Sequence, residues 1–268
     1  PNFNNPSKAE SLSYSARKKI TAEKKYASAG FIVSDLVPVG TITNLFEDKL
    51  GTTGPDEIVV DIGKRQGIEK GDQFTVYTLD RYLYHPVLEG DMFEKLGEYT
   101  RRKGYEHKMV PHPGKPVGHR VMIQGVVEIT ELGDEISYAR VVKAYESIEA
   151  GYLLTPYKKY EDKTSAFTEI DKSVEGYIVA SKGDKIGISE GDFIYIDKGW
   201  ENEVRPGDRF EVYSLPVVDD KVWYKFGFGK KPLLPYVRGE IKIIDTQKKT
   251  ATAIVVKSRI DMVIGDQI

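Results

Sequence analysis

From Phe31 onward the chain alternates apolar and polar residues in short runs that predict strands. In Gln73–Tyr77, Phe74 and Val76 alternate with polar neighbours, a pattern that buries one face of a strand. Glu57–Ile62, Val121–Ile129 and Ser137–Val142 are equally short and rich in β-branched residues, and so are Phe193–Ile196, Arg209–Tyr213, Gly239–Ile244 and Thr250–Val256. Turn signals separate them. Lys70-Gly71-Asp72 and Pro206-Gly207-Asp208 each sit just before a strand; glycine there permits a positive φ and aspartate caps nearby backbone amides. Residues 1–30 read differently. Ser7 to Glu10 forms a capping box, and Leu12, Ala16 and Ile20 recur near helical spacing in a polar stretch, which predicts an exposed helix or linker.

The strand pattern occurs twice. Residues 40–79 align without a gap on 176–215, an offset of 136, with fifteen of forty positions identical. Residues 125–154 align on 239–268 at an offset of 114. Many short strands with Gly/Asp turns, repeated once, predict an all-β chain of two tandem, homologous small β-barrels. The expected divisions are 1–30 as linker or helix, 31–160 as the first module and 161–268 as the second.

The two offsets differ by 22 residues because the copies carry unequal inserts, at 80–124 and 216–238. Loops of that length inside a compact domain usually carry function or are disordered. Residues 101–120 hold six cationic residues, Arg101, Arg102, Lys103, Lys108, Lys115 and Arg120, against Glu106, a net of +5. Residues 216–238 hold Lys221, Lys225, Lys230, Lys231 and Arg238 against two aspartates, a net of +3. The whole chain is -2, so the remainder carries about -10. Two readings stand side by side: a basic docking surface on an acidic body, or a pair of solvated loops. On the first, Arg101, Arg102, Lys103, Lys108, Lys115, Arg120, Lys225, Lys230 and Lys231 are the partner-binding candidates. On an alternative reading, Trp223, Tyr224 and Tyr236 stack on a cell-wall glycan. The net acidity and the lack of any recognised motif argue against nucleic acid.

No catalytic constellation is apparent. The sequence has no cysteine, which excludes disulfides, thiolate metal sites and a thiol nucleophile. It has no GxSxG, P-loop, GxGxxG or HExxH pattern. All four histidines, His85, His107, His112 and His119, fall in the first insert, but their spacings match no familiar ligand set. Asp61, Asp72, Asp197 and Asp208 recur beside glycine in both copies, as turn-forming aspartates do. No enzyme activity, cofactor or metal is expected. No run approaches the ~20 apolar residues that span a bilayer. The chain opens on Pro1, so a trimmed N-terminus is expected, and the lack of a visible signal peptide does not argue against export.

The repeat itself has a recognisable pattern: Asp56–Gly63, Gly67–Asp72 and Phe74–Tyr77 in the first copy, Tyr195–Gly199 and Arg205–Asp208 in the second, with His85-Pro86-Val87 opening the insert. Over about residues 30–268 this resembles the tandem β-modules of LysM-associated bacterial envelope proteins. Their C-terminal part is similar to the flagellar FlgT C-terminal domain, and they include the TsaP-like proteins associated with type IV pilus secretins. The resemblance implies a non-catalytic periplasmic scaffold in the envelope of a Gram-negative bacterium, docked on a protein complex such as a secretin ring. No LysM sequence is present: either it precedes Pro1, tethering the modules to peptidoglycan, or this relative lacks it.

Overall fold

The computed structural model describes residues 25–46, 49–89, 114–158, 174–214 and 234–268. The strands are β1 (Phe31–Val33), β2 (Gly40–Leu45), β3 (Glu57–Val60), β4 (Gln73–Glu89), β5 (Gly114–Glu131), β6 (Ser137–Ala144), β7 (Leu153–Pro156), β8 (Ile178–Ser181), β9 (Phe193–Ile196), β10 (Arg209–Ser214), β11 (Tyr236–Thr246) and β12 (Ala251–Ser258). The chain is all-β, and its tandem modules fold alike.

In the first module β5, β4, β7, β2, β3 and β6 pair in that order, and β6 pairs back onto β5. The sheet therefore closes on itself, which removes its edges. In the second module β10, β11, β12, β9 and β8 form an open run. Gln267 spans the remaining gap by bridging Tyr177 on one side and Tyr213 on the other. It stands where Leu153, the first residue of β7, stands in the first copy.

The cores repeat with the strands. Ile42, Ile58, Phe74, Val76, Val127 and Ile129 are buried in the first barrel, and Ile178, Ile194, Phe210, Val212, Ile241 and Ile243 occupy the same places in the second. These are the inward positions of the alternation. The repeated turns keep their geometry as well: Gly71 and Gly207 have φ of 94° and 102°, a region open to glycine without strain.

Two elements depart from the shared frame. Beyond the first barrel, β4 and β5 continue as a two-stranded ribbon, with Tyr82 opposite His119 and Tyr84 opposite Pro116. β1 adds to the free side of β5, Phe31 pairing with Val121 and Val33 with His119. Ribbon residues Leu83 and Val117, with Ile32 of β1, pack on Val179, Ala180 and Tyr195 of the second module. A second apolar cluster joins Tyr26 and Ala29 to Phe193, Ile244, Ile254 and Val256. The expected linker therefore ends earlier than residue 30: the segment from Lys25 to Val33 lies along the seam between the modules, with Ala29 and Gly30 buried.

The seam accommodates this segment because its backbone is satisfied there. β1 turns one edge to β5, and the carbonyls on its other side would be buried unpaired, at a cost of about 1–3 kcal/mol each. Tyr195 donates its hydroxyl to the Ala29 carbonyl at 2.8 Å, Thr252 to Gly30 at 2.9 Å and Thr250 to Ile32 at 2.7 Å. Gly30 adopts φ 74°, and a Cβ there would run into the Val121 carbonyl oxygen.

Candidate functional site

The repeated aspartates fasten backbone. Asp72 and Asp208 accept the N–H groups of Glu69 and Arg205, each at 2.8 Å. Asp61 accepts from Thr41, and Asp197 from Tyr177 at 2.7 Å. Asp56 and Asp192 form ion pairs with Lys49 and Lys185. Hydrogen bonds from Thr52 and Lys49 hold the Asp56 carboxyl below the usual carboxylate range. At Asp192 burial acts upward, but the bonds from Lys185 and the Ser189 amide outweigh it, and its carboxyl also titrates low. Carboxylates bound this way work as turn clamps, the reading their position beside glycine predicts.

Of the four histidines, His107 and His112 lie outside the described residues. His85 is buried, and its Nδ1 accepts the amides of Val87 at 3.1 Å and Leu88 at 2.8 Å. Accepting there assigns the proton to Nε2, which faces Asp197 of the second module at 3.2 Å. The ring also meets Tyr177 edge-on, with centroids 5.3 Å apart. His119 donates from Nδ1 to the Asp80 carbonyl at 3.1 Å and packs edge-on against Tyr82. Both histidines thus hold the ribbon in place. Among the described residues, no group of three or more His, Cys, Asp or Glu is arranged to hold a metal ion.

Arg120 corrects the charge reading. Counted among the cations of the basic insert, it is instead buried in the seam, its side chain 4% exposed. It bonds Asp80 of its own module through Nε at 2.9 Å and through Nη2. It reaches Asp184 of the second module through Nη1 at 2.7 Å and Nη2 at 3.1 Å, and the Ser181 carbonyl at 2.7 Å. Arg81 adds a bond to Asp184 at 2.6 Å. Burial alone would lower the Arg120 pKa, but the two carboxylates outweigh it and raise it. Among the described residues, Asp184 is one of two non-glycine residues with positive φ, at 56°; a conformation costing about 1 kcal/mol aims its carboxylate across the seam. A buried guanidinium with this many acceptors is an internal fastener and is not available to a partner.

The other candidates divide by position. Lys115 is described and exposed, at the root of the first insert. Arg101, Arg102, Lys103, Lys108, Lys225, Lys230 and Lys231, with Trp223 and Tyr224, lie outside the described residues. Tyr236 is partly exposed, but the Arg238 guanidinium lies 5.4 Å from its ring centroid. Arg238 is itself held by Asp266 at 3.2 Å. The ring already carries a cation on one face, which narrows its use as a stacking platform.

The roots of the two inserts are brought together. The ribbon carries the first insert across the seam until Val87 stands against Gly265, a methyl 3.5 Å from where a Cβ would be. Two residues later Gln267 exchanges backbone hydrogen bonds with Tyr213, at 2.9 Å and 3.1 Å. Tyr213 adjoins Ser214, which pairs with Tyr236 where the second insert leaves and returns. Both inserts therefore emerge beside the closing bridge of the second barrel. Sequence pattern does not show this, because Val87 and Gly265, which bring the roots together, are distant in the chain. Residues 79–89 do not alternate apolar and polar positions, so the sequence carries no periodic signal that the first insert begins as a strand. No helix among the described residues is long and apolar enough to cross a membrane.

No protein-family model matches the chain, and no curated protein matches it.

Proposed function

We propose that the chain is a non-catalytic docking scaffold of a bacterial cell envelope, which presents two basic inserts side by side to an acidic protein partner. The observation that carries this reading is the convergence of the insert roots at Val87–Gly265 and Ser214–Tyr236. With Arg120 and Arg238 engaged internally, residues 101–120 keep a net charge of +4 and residues 216–238 one of +2, one fewer each than the full count. Two like-charged loops rooted together repel each other, and an acidic surface relieves that repulsion. The repeated aspartates Asp61, Asp72, Asp197 and Asp208, with His85 and His119, are engaged in turns and in the seam, which favours binding over catalysis. The resemblance to LysM-associated envelope proteins supports a periplasmic setting and a secretin ring of a type IV pilus as the partner.

The test is direct binding of the purified chain to a purified type IV pilus secretin ring at physiological salt. Reversing Arg101, Arg102 and Lys103 to glutamate is expected to weaken binding at least about tenfold, with a matching loss of salt dependence. Full binding by the triple variant removes the basic-insert reading. Absence of binding by the parent chain removes the secretin as partner.

A further inference from the structure

The segment from Lys25 to Val33 precedes the first barrel in the chain, yet it rests largely on the second. Any pull on residues 1–24 therefore reaches the molecule at the seam. We infer that this segment is a mechanical clasp, which peels away under tension on the N-terminal segment before either barrel opens.

The clasp is built to yield first. β1 is three residues long and stands outside the closed ring of six strands, so its removal breaks no barrel pairing. Besides the packing of Tyr26, Ala29 and Ile32 on the second module, the segment is fastened by separate side-chain bonds from Tyr195, Thr252 and Thr250, met one after another by a chain lifted from its N-terminal end. Each barrel, by contrast, holds its strands through one shared core that must be lost together. The N-terminal end is also the weakest. Lys25 and Lys182 both lie near the Phe193 ring, 5.4 Å and 5.8 Å from its centroid. Among the described residues they bond only backbone carbonyls and the Ser28 hydroxyl. Burial, with Lys25 as a like charge nearby, lowers the Lys182 pKa despite the charge of Glu146. Two ammonium groups meet where the lift begins. Once peeled, the clasp uncovers Phe193, Tyr195 and Ile254, an apolar face otherwise closed.

The chain has no cysteine, so handles can be placed at will. In single-molecule stretching between residues 1 and 268, peeling residues 25–39 at about 3.5 Å each releases about 50 Å of chain. Opening of the first barrel, residues 40–156, releases about 400 Å on the same basis. The expected trace shows the short step first. Moving the handle to Val37→Cys, an exposed position past the clasp, is expected to abolish the short step and leave the barrel steps unchanged. A trace whose first event is a barrel step overturns the inference. So does a short step that survives the Val37 handle.

Discussion

The outer faces of the two barrels differ where their cores agree. On the first barrel Glu57, Val59, Tyr138, Arg140 and Val142 face outward, and most are exposed. The same places on the second hold Phe193, Tyr195, Thr252, Ile254 and Val256, and most of these are buried. Glu57 stands opposite Arg140, which stands opposite Glu128, a cross-strand charge ladder that suits water. In the second copy the first two members of that row are Phe193 and Ile254, and the hydroxyls of Tyr195 and Thr252 meet the clasp backbone. One frame thus carries two surfaces, and only the second is shaped to be covered. Within a repeat, positions that agree mark the fold, and outward positions that disagree mark where the copies touch something different.

Substitutions at matched positions can break or sharpen this contrast. The largest effect is expected at Tyr195. Truncation to alanine removes a fully buried ring and the Ala29 hydrogen bond, a loss of about 4 kcal/mol. Val59→Ala, at the same place in the first copy, should cost about 1 kcal/mol. Chemical denaturation of both variants reads the difference, and equal losses would dissolve the distinction between the faces. Next comes Arg120→Ala, which leaves Asp80 and Asp184 facing each other without their cation; about 3 kcal/mol is expected, measured in the same way.

A smaller effect follows from pH. At Asp80 burial acts to raise the carboxyl, but Arg120 and Arg81 outweigh it, and it titrates below its ordinary 3.8. A depressed folded-state value stabilises above the unfolded pKa, and that contribution is lost as pH falls through the folded one. Acid unfolding curves should therefore separate below about pH 4, with Asp80→Asn less sensitive there than the parent chain. The smallest change is expected from Arg140→Ile, which gives the first copy the residue of the second. On an uncovered face its stability should stay within about 0.5 kcal/mol of the parent, and its solubility should fall. A marked gain in stability would mean that this face is covered too.

Much of the frame was legible in the sequence because strand alternation and turn chemistry are local. Phe74 and Val76 announce an inward face, and Gly71-Asp72 a turn, whatever lies around them. The seam was not legible, because its partners are distant in sequence. Arg120 looks like one more cation until Asp184 is beside it. Residues 25–30 read as linker because, apart from Tyr26 and Ala29, they contribute carbonyl groups to the seam, and these leave no trace in side-chain pattern. The convergence of the inserts has the same cause: it depends on a ribbon crossing from one module to the other.

The hydroxyl bonds to the clasp have a consequence for the order of folding. Ile32 and Thr250 are 218 residues apart, and Gly30 and Thr252 are 222 apart. The first barrel has all its strands once Pro156 has been made. Thr250 and Thr252 belong to the last hairpin, β11 with β12. On the ribosome, the clasp thus emerges long before the strands that hold it and is among the last segments to find its place. Throughout that interval Ile32 and its neighbours have no second module to cover them, and the nascent chain is most exposed to misassembly at the clasp.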